Sequence, residues 1–197
     1  MRQVLVVHFS QTGQLDRLVR SVCAPLEKAF GVQVDYLPLQ PAQPFPFPWP
    51  FLGFFRIFPE TVLMRPQPLL PLQVDADKRY DLIILAYQVW FLSPSLPVTS
   101  FLASPEAARL FKDAPVVTLI GCRNMWLMAQ EKVKAKLTEL GARLVDNIAL
   151  TDACGTAASF LATPLWMFTG RQKPYAWVPR AGIEEAEIAA ASRFGEA

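Results

Sequence analysis

The stretch that decides the fold runs from Val4 to Leu15 and reads VLVVHFSQTGQL. Its first six residues, Val4 to Phe9, form a nearly continuous apolar run of strand length. Such a run is typical of a strand in a parallel sheet that is covered on both faces. Short polar residues follow, and a helical pattern of apolar residues begins near Gln14. The stretch therefore predicts a strand, a tight loop and a helix in immediate succession.

The same kind of apolar run recurs along the chain. Four further strands are predicted, at Val32 to Leu37, Leu82 to Tyr87, Val116 to Ile120 and Leu144 to Leu150. Helical patterns lie between them, one from Leu15 to Phe30 and another from Met125 to Leu140. Strands that alternate with helices indicate right-handed crossovers, and hence an α/β, doubly wound sheet of five parallel strands.

Length and composition limit the class of protein. The 197 residues are 52% hydrophobic and 18% charged with a formal net charge of +2, which fits one domain (1–197) and argues against a nucleic-acid binder. Three scattered cysteines predict neither a disulfide framework nor a zinc site, and reduced thiols in the cytoplasm fit best.

No apolar run reaches the roughly 18 residues of a membrane-spanning helix. Residues 184–197 look helical but end without a cap, so we expect a C-terminal helix that is truncated.

An insertion at residues 38–79 interrupts the alternation after the second strand. Ten of the eighteen prolines lie between Pro38 and Pro71, together with seven aromatic residues. This density of proline excludes a regular strand or a long helix. Because proline-rich linkers are normally polar, the aromatic content favours a folded lid or a binding loop.

The loop between the first strand and the first helix has the composition of an anion site. The hydroxyls of Ser10 and Thr12, the backbone N–H groups and the positive end of the helix would cradle a phosphate without any Lys or Arg. Gly13 allows the backbone to approach closely. A simple helix N-cap is the ordinary alternative for such a Ser and Thr.

Two other loops follow predicted strands at the edge where ligands bind in doubly wound sheets. They are Gln88 to Phe91 and Gly121 to Asn124. Together with Ser10–Gln11–Thr12–Gly13, these loops resemble the three FMN-contacting loops of the flavodoxin-like superfamily. The resemblance implies the strand order 2-1-3-4-5 and FMN as the cofactor.

The resemblance also assigns site residues. It implies that the FMN phosphate is held by Ser10, Gln11, Thr12, Gly13, Gln14 and Leu15. It implies that the isoalloxazine ring is flanked by Gln88, Val89, Trp90, Phe91, Gly121, Cys122, Arg123 and Asn124. Trp90 is then the expected stacking residue, whereas Leu15 departs from the Thr found at this place in many flavodoxins.

Longer runs resemble the flavodoxin-like proteins of dialkylresorcinol biosynthesis, which have been described as condensing or aromatising enzymes. The runs are SQTGQL, PFPFPWPF with FPETVL, YQVWFLSPSLPV and GCRNMWLMAQEKVK. This resemblance implies aromatisation of a dialkyl cyclohexanedione to a dialkylresorcinol. It makes the insertion a lid for alkyl chains, with substrate contacts from Trp49, Phe54, Phe55 and Trp126.

Three classes of function follow. The leading one is an FMN-dependent oxidoreductase acting on a hydrophobic cyclic or aromatic substrate, with NAD(P)H as a candidate electron donor and a homodimer as the expected assembly. A non-enzymatic flavodoxin-type electron carrier and a flavin-free carrier of hydrophobic ligands are the alternatives. No catalytic residue is assigned and no metal site is expected. The apolar stretch Phe160 to Phe168 is open to four interpretations: a second pocket wall, an oligomer contact, a membrane-surface patch or a buried loop.

Overall fold

The computed structural model describes residues 1–75, 77–152 and 156–196, with residues 156 and 157 described by their backbone alone. The strands are β1 (Arg2–His8), β2 (Val32–Pro38), β3 (Leu82–Trp90), β4 (Ser93–Pro94), β5 (Pro115–Cys122) and β6 (Arg143–Thr151). The five long strands are parallel and lie in the order β2-β1-β3-β5-β6. Their path is the one expected from the sequence.

The expected count of five strands is corrected by the short β4, which makes six. β3 continues three residues beyond Tyr87, and β4 then pairs with it in the antiparallel direction. The turn between them places Phe91 and Leu92 at φ of 47° and 59°. Hairpin turns with positive φ normally carry Gly, Asn or Asp. Since neither turn residue is one of these, the sequence contains no signal for this hairpin.

Eight helices complete the described chain. They are α1 (Gln14–Lys28), α2 (Phe51–Arg56), α3 (Phe58–Val62), α4 (Leu96–Leu102), α5 (Pro105–Leu110), α6 (Leu127–Glu139), α7 (Thr156–Thr169) and α8 (Glu185–Ala190). The expectation of one helix over residues 184–197 is wrong. The helix α8 ends at Ala190, and a 3₁₀ turn, Ala191–Phe194, follows it. This end of the chain packs so closely on α1 that a Cβ at Gly195 would lie 2.0 Å from the carbonyl oxygen of Val22.

Both faces of the sheet are buried, as the continuous apolar runs predict. Along β1, Val4 and Val6 pack with residues of α1 and α8, whereas Leu5 and Val7 pack with residues of α4, α5 and α6. The doubly wound α/β architecture is therefore confirmed. Among the described residues, no helix is both long and apolar enough to cross a membrane.

A chain of buried side-chain hydrogen bonds ties β3, α6, β5 and β6 together. The Tyr87 hydroxyl donates to Gln130 Oε1 at 2.6 Å, and Gln130 Nε2 donates to Thr118 Oγ1 at 3.0 Å. Thr118 in turn donates to Asn147 Oδ1 at 2.8 Å. Buried polar groups that are fully paired in this way stabilise one arrangement of the core over others.

Candidate functional site

The loop from Ser10 to Gly13, which we call the cradle, lies directly before the N-terminus of α1. Gly13 precedes the helix at φ 77°, and no side chain caps the helix N-terminus. The hydroxyl oxygens of Ser10 and Thr12 are buried and have no hydrogen-bond partner. Buried hydroxyls are rarely left unpaired, since an unsatisfied one costs about 1–3 kcal/mol. The simple N-cap alternative therefore does not describe this loop, and both hydroxyls lack the partners that buried polar groups normally have.

The residues next to the cradle are held by contacts of their own. The amide of Gln14 makes two hydrogen bonds of 3.1 Å with the backbone of Ile183, donating to its oxygen and accepting from its N–H. The Leu15 side chain is buried in the core and lies 3.1 Å from where a Cβ on Gly121 would be. Toward a phosphate, these two residues therefore offer their backbone N–H groups, which the first turn of a helix leaves unpaired.

His8, at the end of β1, is paired with the first turn of α1. Its Nε2 lies 2.9 Å from Asp16 Oδ1, and the ring is 4% exposed. Burial lowers the pKa of His8 and outweighs the opposing attraction of the Asp16 carboxylate. His8 is therefore a neutral packing residue at neutral pH rather than a cation beside the cradle.

The second loop brings Gln88 to Phe91 against the cradle. Gln88 Oε1 accepts a hydrogen bond from the backbone N–H of Gln11 at 3.3 Å. The Trp90 ring makes edge contacts with the rings of Phe9, Phe45 and Trp49, with centroids 5.2–5.9 Å apart. Trp90 is thus fixed by neighbouring rings while it also lines the cavity described below.

The third loop contributes Gly121, Cys122 and Arg123. Burial raises the pKa of the Cys122 thiol to about 12, so the reactive thiolate is scarce at neutral pH. The Arg123 guanidinium lies 4.0 Å from the centre of the Phe160 ring, a cation–π contact. Asn124 is exposed and lies outside the residues that line the cavity.

The three loops meet at one cavity of about 480 Å³, within the range usual for small-molecule sites. Twelve predicted site residues line it: Gln11, Thr12, Gln14, Phe54, Phe55, Gln88, Val89, Trp90, Phe91, Gly121, Cys122 and Arg123. A second cavity of about 440 Å³ is lined by Ser10 and Gly13 among others. Gln11 lines both cavities, so the cradle contributes residues to each of them.

Two segments contribute the roof of the 480 Å³ cavity, through Phe47, Phe54 and Phe55 in one and through α7 in the other. We call the described residues of these two segments, 38–75 with 77–79 and 156–180, the cap. They are joined by a hydrogen bond of 2.8 Å from the Trp49 N–H to the Met167 oxygen. The Phe54 ring lies 4.6 Å from the Phe91 ring and 5.8 Å from the Phe168 ring. The insertion is therefore a folded lid, and the stretch Phe160 to Phe168 supplies a second pocket wall through α7.

The predicted substrate contacts divide into two pairs. Phe54 and Phe55 line the cavity, whereas Trp49 is 4% exposed and packs behind it in the aromatic cluster. Trp126 also lies away from the cavity, packed against the core. Met125, one residue earlier in the chain, takes a place in the wall instead.

Several residues of the cavity wall were assigned no role by the sequence analysis. Asp152 follows β6 directly, is 9% exposed and accepts a hydrogen bond from Thr163 at 3.2 Å. Its position at the carboxyl end of a strand was the signal that could have found it. Among the described residues lining this cavity, Asp152 is the carboxylate and Arg123 the cation. Among all the described residues, no group of His, Cys, Asp and Glu side chains is arranged to hold a metal ion.

Comparison with solved structures identifies the fold. A flavoprotein from Lactobacillus acidophilus NCFM, solved in complex with FMN, superimposes with a TM-score of 0.59 at 11% identity, covering 76% of this chain and 93% of its own. A flavodoxin from the domain Archaea gives 0.54 at 11% identity, covering 99% and 94%. Oxidised flavodoxin 1 from Bacillus cereus gives 0.52 at 10% identity, covering 98% and 95%. No protein-family model and no curated protein match the sequence. The strand order, the two-sided core and these superpositions together show that the chain has the flavodoxin-like fold.

Proposed function

We propose that the protein binds FMN and uses it in an oxidoreductase reaction on a hydrophobic cyclic or aromatic substrate. One observation carries the proposal: the unpartnered buried hydroxyls of Ser10 and Thr12 stand just before α1, where Thr12 lines the aromatic cavity and Ser10 lines the neighbouring one. This arrangement fits a ligand with a phosphate at one end and a flat ring system at the other. FMN is such a ligand.

The residues that would hold FMN follow from their positions. The cradle would bind the phosphate through the Ser10 and Thr12 hydroxyls and the N–H groups of the first turn of α1. The loops around Trp90 and Gly121 would flank the ring system from two sides. The absence of a side chain at Gly121 serves the packing of the core, because a Cβ there would press on Leu15 at 3.1 Å.

The substrate class is proposed from the cavity walls. Phe54, Phe55 and Phe168 supply apolar surface, which would bind alkyl chains with about 25 cal/mol for each Å² of apolar contact. When bound, FMN would accept the two hydrogens that a dialkyl cyclohexanedione loses on becoming a dialkylresorcinol, and an electron acceptor such as O₂ would reoxidise it. We propose this aromatisation as the specific reaction.

Arg123 and Asp152 are the chain's own candidates for contact with the substrate. A planar guanidinium donates well to a carbonyl or enolate oxygen, and we propose that Arg123 orients the substrate in this way. Asp152 would accept the proton that a ring carbon releases, while Thr163 holds its carboxylate in place at 3.2 Å. The Asp152→Asn variant should keep FMN and lose turnover, with Asp146→Asn on the exposed part of β6 as the control.

Other parts of the proposal concern assembly and surroundings. We propose the cytoplasm as the compartment, supported by the free thiols of Cys23 and Cys122. A homodimer stays a prediction, and so does reduction of the flavin by NAD(P)H, which would serve a reductive reaction and is not needed for the aromatisation. Sedimentation velocity tests the first, and the bleaching of flavin absorbance after addition of NADPH or NADH tests the second.

The purified protein's visible absorption spectrum tests the proposed cofactor, followed by release of the chromophore by heat and its identification. We expect oxidised-flavin bands and free FMN in the supernatant. A colourless protein that also fails to take up added FMN would favour the flavin-free carrier. FMN binding without turnover of any cyclohexanedione would favour the electron carrier.

A further inference from the structure

We propose that the cap docks the protein on an anionic phospholipid surface. The proposal starts from the outer side of α2. Phe51 is 62% exposed and Leu52 is 70% exposed, and Phe55 and Phe58 are each about half exposed. Large apolar side chains clustered on a surface mark an interaction site, whereas single ones do not.

These side chains form one continuous aromatic surface that reaches the cavity. The Phe51 ring lies 5.1 Å from the Phe55 ring and 5.4 Å from the Phe168 ring. The Phe58 ring lies 5.1 Å from the Phe91 ring. Phe55, Phe91 and Phe168 also line the 480 Å³ cavity, whereas Phe51 does not. The exposed surface and the inner wall are therefore two sides of the same roof.

Charge is segregated on this part of the molecule. The cap contains seven Lys and Arg residues and three Asp and Glu residues, whereas the rest of the chain contains twelve and fourteen. Two of the seven cap cations pair with carboxylates outside the cap, Lys78 with Asp35 and Arg180 with Glu185. The other five Lys and Arg still outnumber the three Asp and Glu of the cap. Arg56 directly follows Phe55, and Arg171 and Lys173 follow α7, all three with exposed side chains.

Exposed Phe and Leu beside Arg and Lys is the composition of a segment that lies in the interface of an anionic membrane. There the apolar side chains enter the boundary of the acyl chains while the basic groups meet lipid phosphates. The excess of Lys and Arg in the cap favours this orientation, because these groups are attracted to lipid phosphates.

Docking in this orientation places the roof of the cavity against the lipid. If the proposed function holds, a substrate with long alkyl chains would pass from the bilayer into the cavity without crossing water. Docking itself involves residues outside the cofactor cradle. It is therefore measured independently of FMN binding.

The experiment is co-sedimentation of the full chain with vesicles of phosphatidylcholine alone and with vesicles containing phosphatidylglycerol. We expect binding to the anionic vesicles that weakens as salt is raised, with and without added FMN. The double variant Phe51→Ser/Leu52→Ser should bind at least about tenfold more weakly, because two side chains no longer enter the acyl boundary. The double variant Arg56→Gln/Lys173→Gln should lose about fivefold for each charge.

Phe30→Ser is the matched control, because Phe30 is fully exposed and follows α1 at the opposite edge of the sheet. It should bind vesicles as the unsubstituted protein does. The proposal is overturned if the protein stays in solution with anionic vesicles, or if the Phe51→Ser/Leu52→Ser variant binds them as well as the control. It is also overturned if the protein is a dimer that this variant dissociates, since the surface would then join two copies. FMN titration of the same samples separates these outcomes from failure of the proposed function.

Discussion

Removing the unpartnered hydroxyls of the cradle should change stability and FMN affinity in opposite directions. The variants are Ser10→Ala and Thr12→Val, which delete a hydroxyl with little change in shape. In the protein without FMN, each hydroxyl is buried and unpaired, at a cost of about 1–3 kcal/mol. Each variant should therefore be more stable by about 1 kcal/mol, which raises Tm by about 2–4 °C for a chain of this size.

The loss of affinity is worked from the bond that the phosphate would make. A hydrogen bond to a charged group contributes about 1.5–3 kcal/mol, so deleting one hydroxyl should weaken FMN binding by about 10- to 150-fold. Thermal denaturation of the FMN-free protein gives the first quantity. Quenching of FMN fluorescence during titration gives the second.

Ser95→Ala is the matched control for this pair of measurements. The Ser95 hydroxyl is also buried and unpartnered, but it stands at the start of α4 and does not line the cavity. Its variant should gain stability and keep FMN affinity unchanged. The reasoning is refuted if the cradle variants bind FMN as tightly as the control does, or if they lose stability while the control gains it.

Three further outcomes are expected. Tyr87→Phe leaves the buried Gln130 Oε1 without its 2.6 Å donor and should lower the free energy of unfolding by about 1–3 kcal/mol in urea titration; an unchanged midpoint would contradict this. His8 is the single histidine, and its folded-state pKa is lowered, so the unfolded chain binds the extra proton and stability should fall as pH drops below about 6.5. The variant His8→Gln should show less of this loss between pH 7 and 5.5 in thermal denaturation, and equal slopes would exclude His8 as the cause. In Gly182→Ala, the new Cβ would lie 2.7 Å from Gln14 Nε2, at a residue whose φ is 95°. Lost hydrogen bonds and backbone strain should lower the free energy of unfolding by about 2–4 kcal/mol, measured by urea titration. A Tm within 1–2 °C of the unsubstituted protein would contradict this prediction.

The parallel sheet could be predicted because the burial of each strand on both faces is visible in its own local sequence. Val4 to Val7 are apolar on both faces since helices cover both, and this leaves a continuous run in the sequence. The β3-β4 hairpin could not be predicted in the same way. Its turn holds Phe91 and Leu92 at positive φ, and ring contacts with Phe54 and Phe58 accompany this conformation. Those contacts are long-range and have no local sequence signal.

In the candidate site, likewise, one part could be predicted from the sequence and another could not. The meeting of the loops at Thr12, Trp90 and Gly121 follows from a general rule, since ligands bind beyond the carboxyl ends of strands in doubly wound sheets. The roof depends on the contact between Trp49 and Met167, which are far apart in the sequence. Composition alone therefore identified the insertion as a lid but left the role of α7 open.

The central claim is that the cradle binds the phosphate of a flavin. The most direct test is a paired titration of the FMN-free protein with FMN and with riboflavin, which has the same ring system and lacks the phosphate. We predict that FMN binds at least about tenfold more tightly, because riboflavin leaves the Ser10 and Thr12 hydroxyls unpaired. Equal affinity for the two flavins, or no binding of either one, would contradict the account.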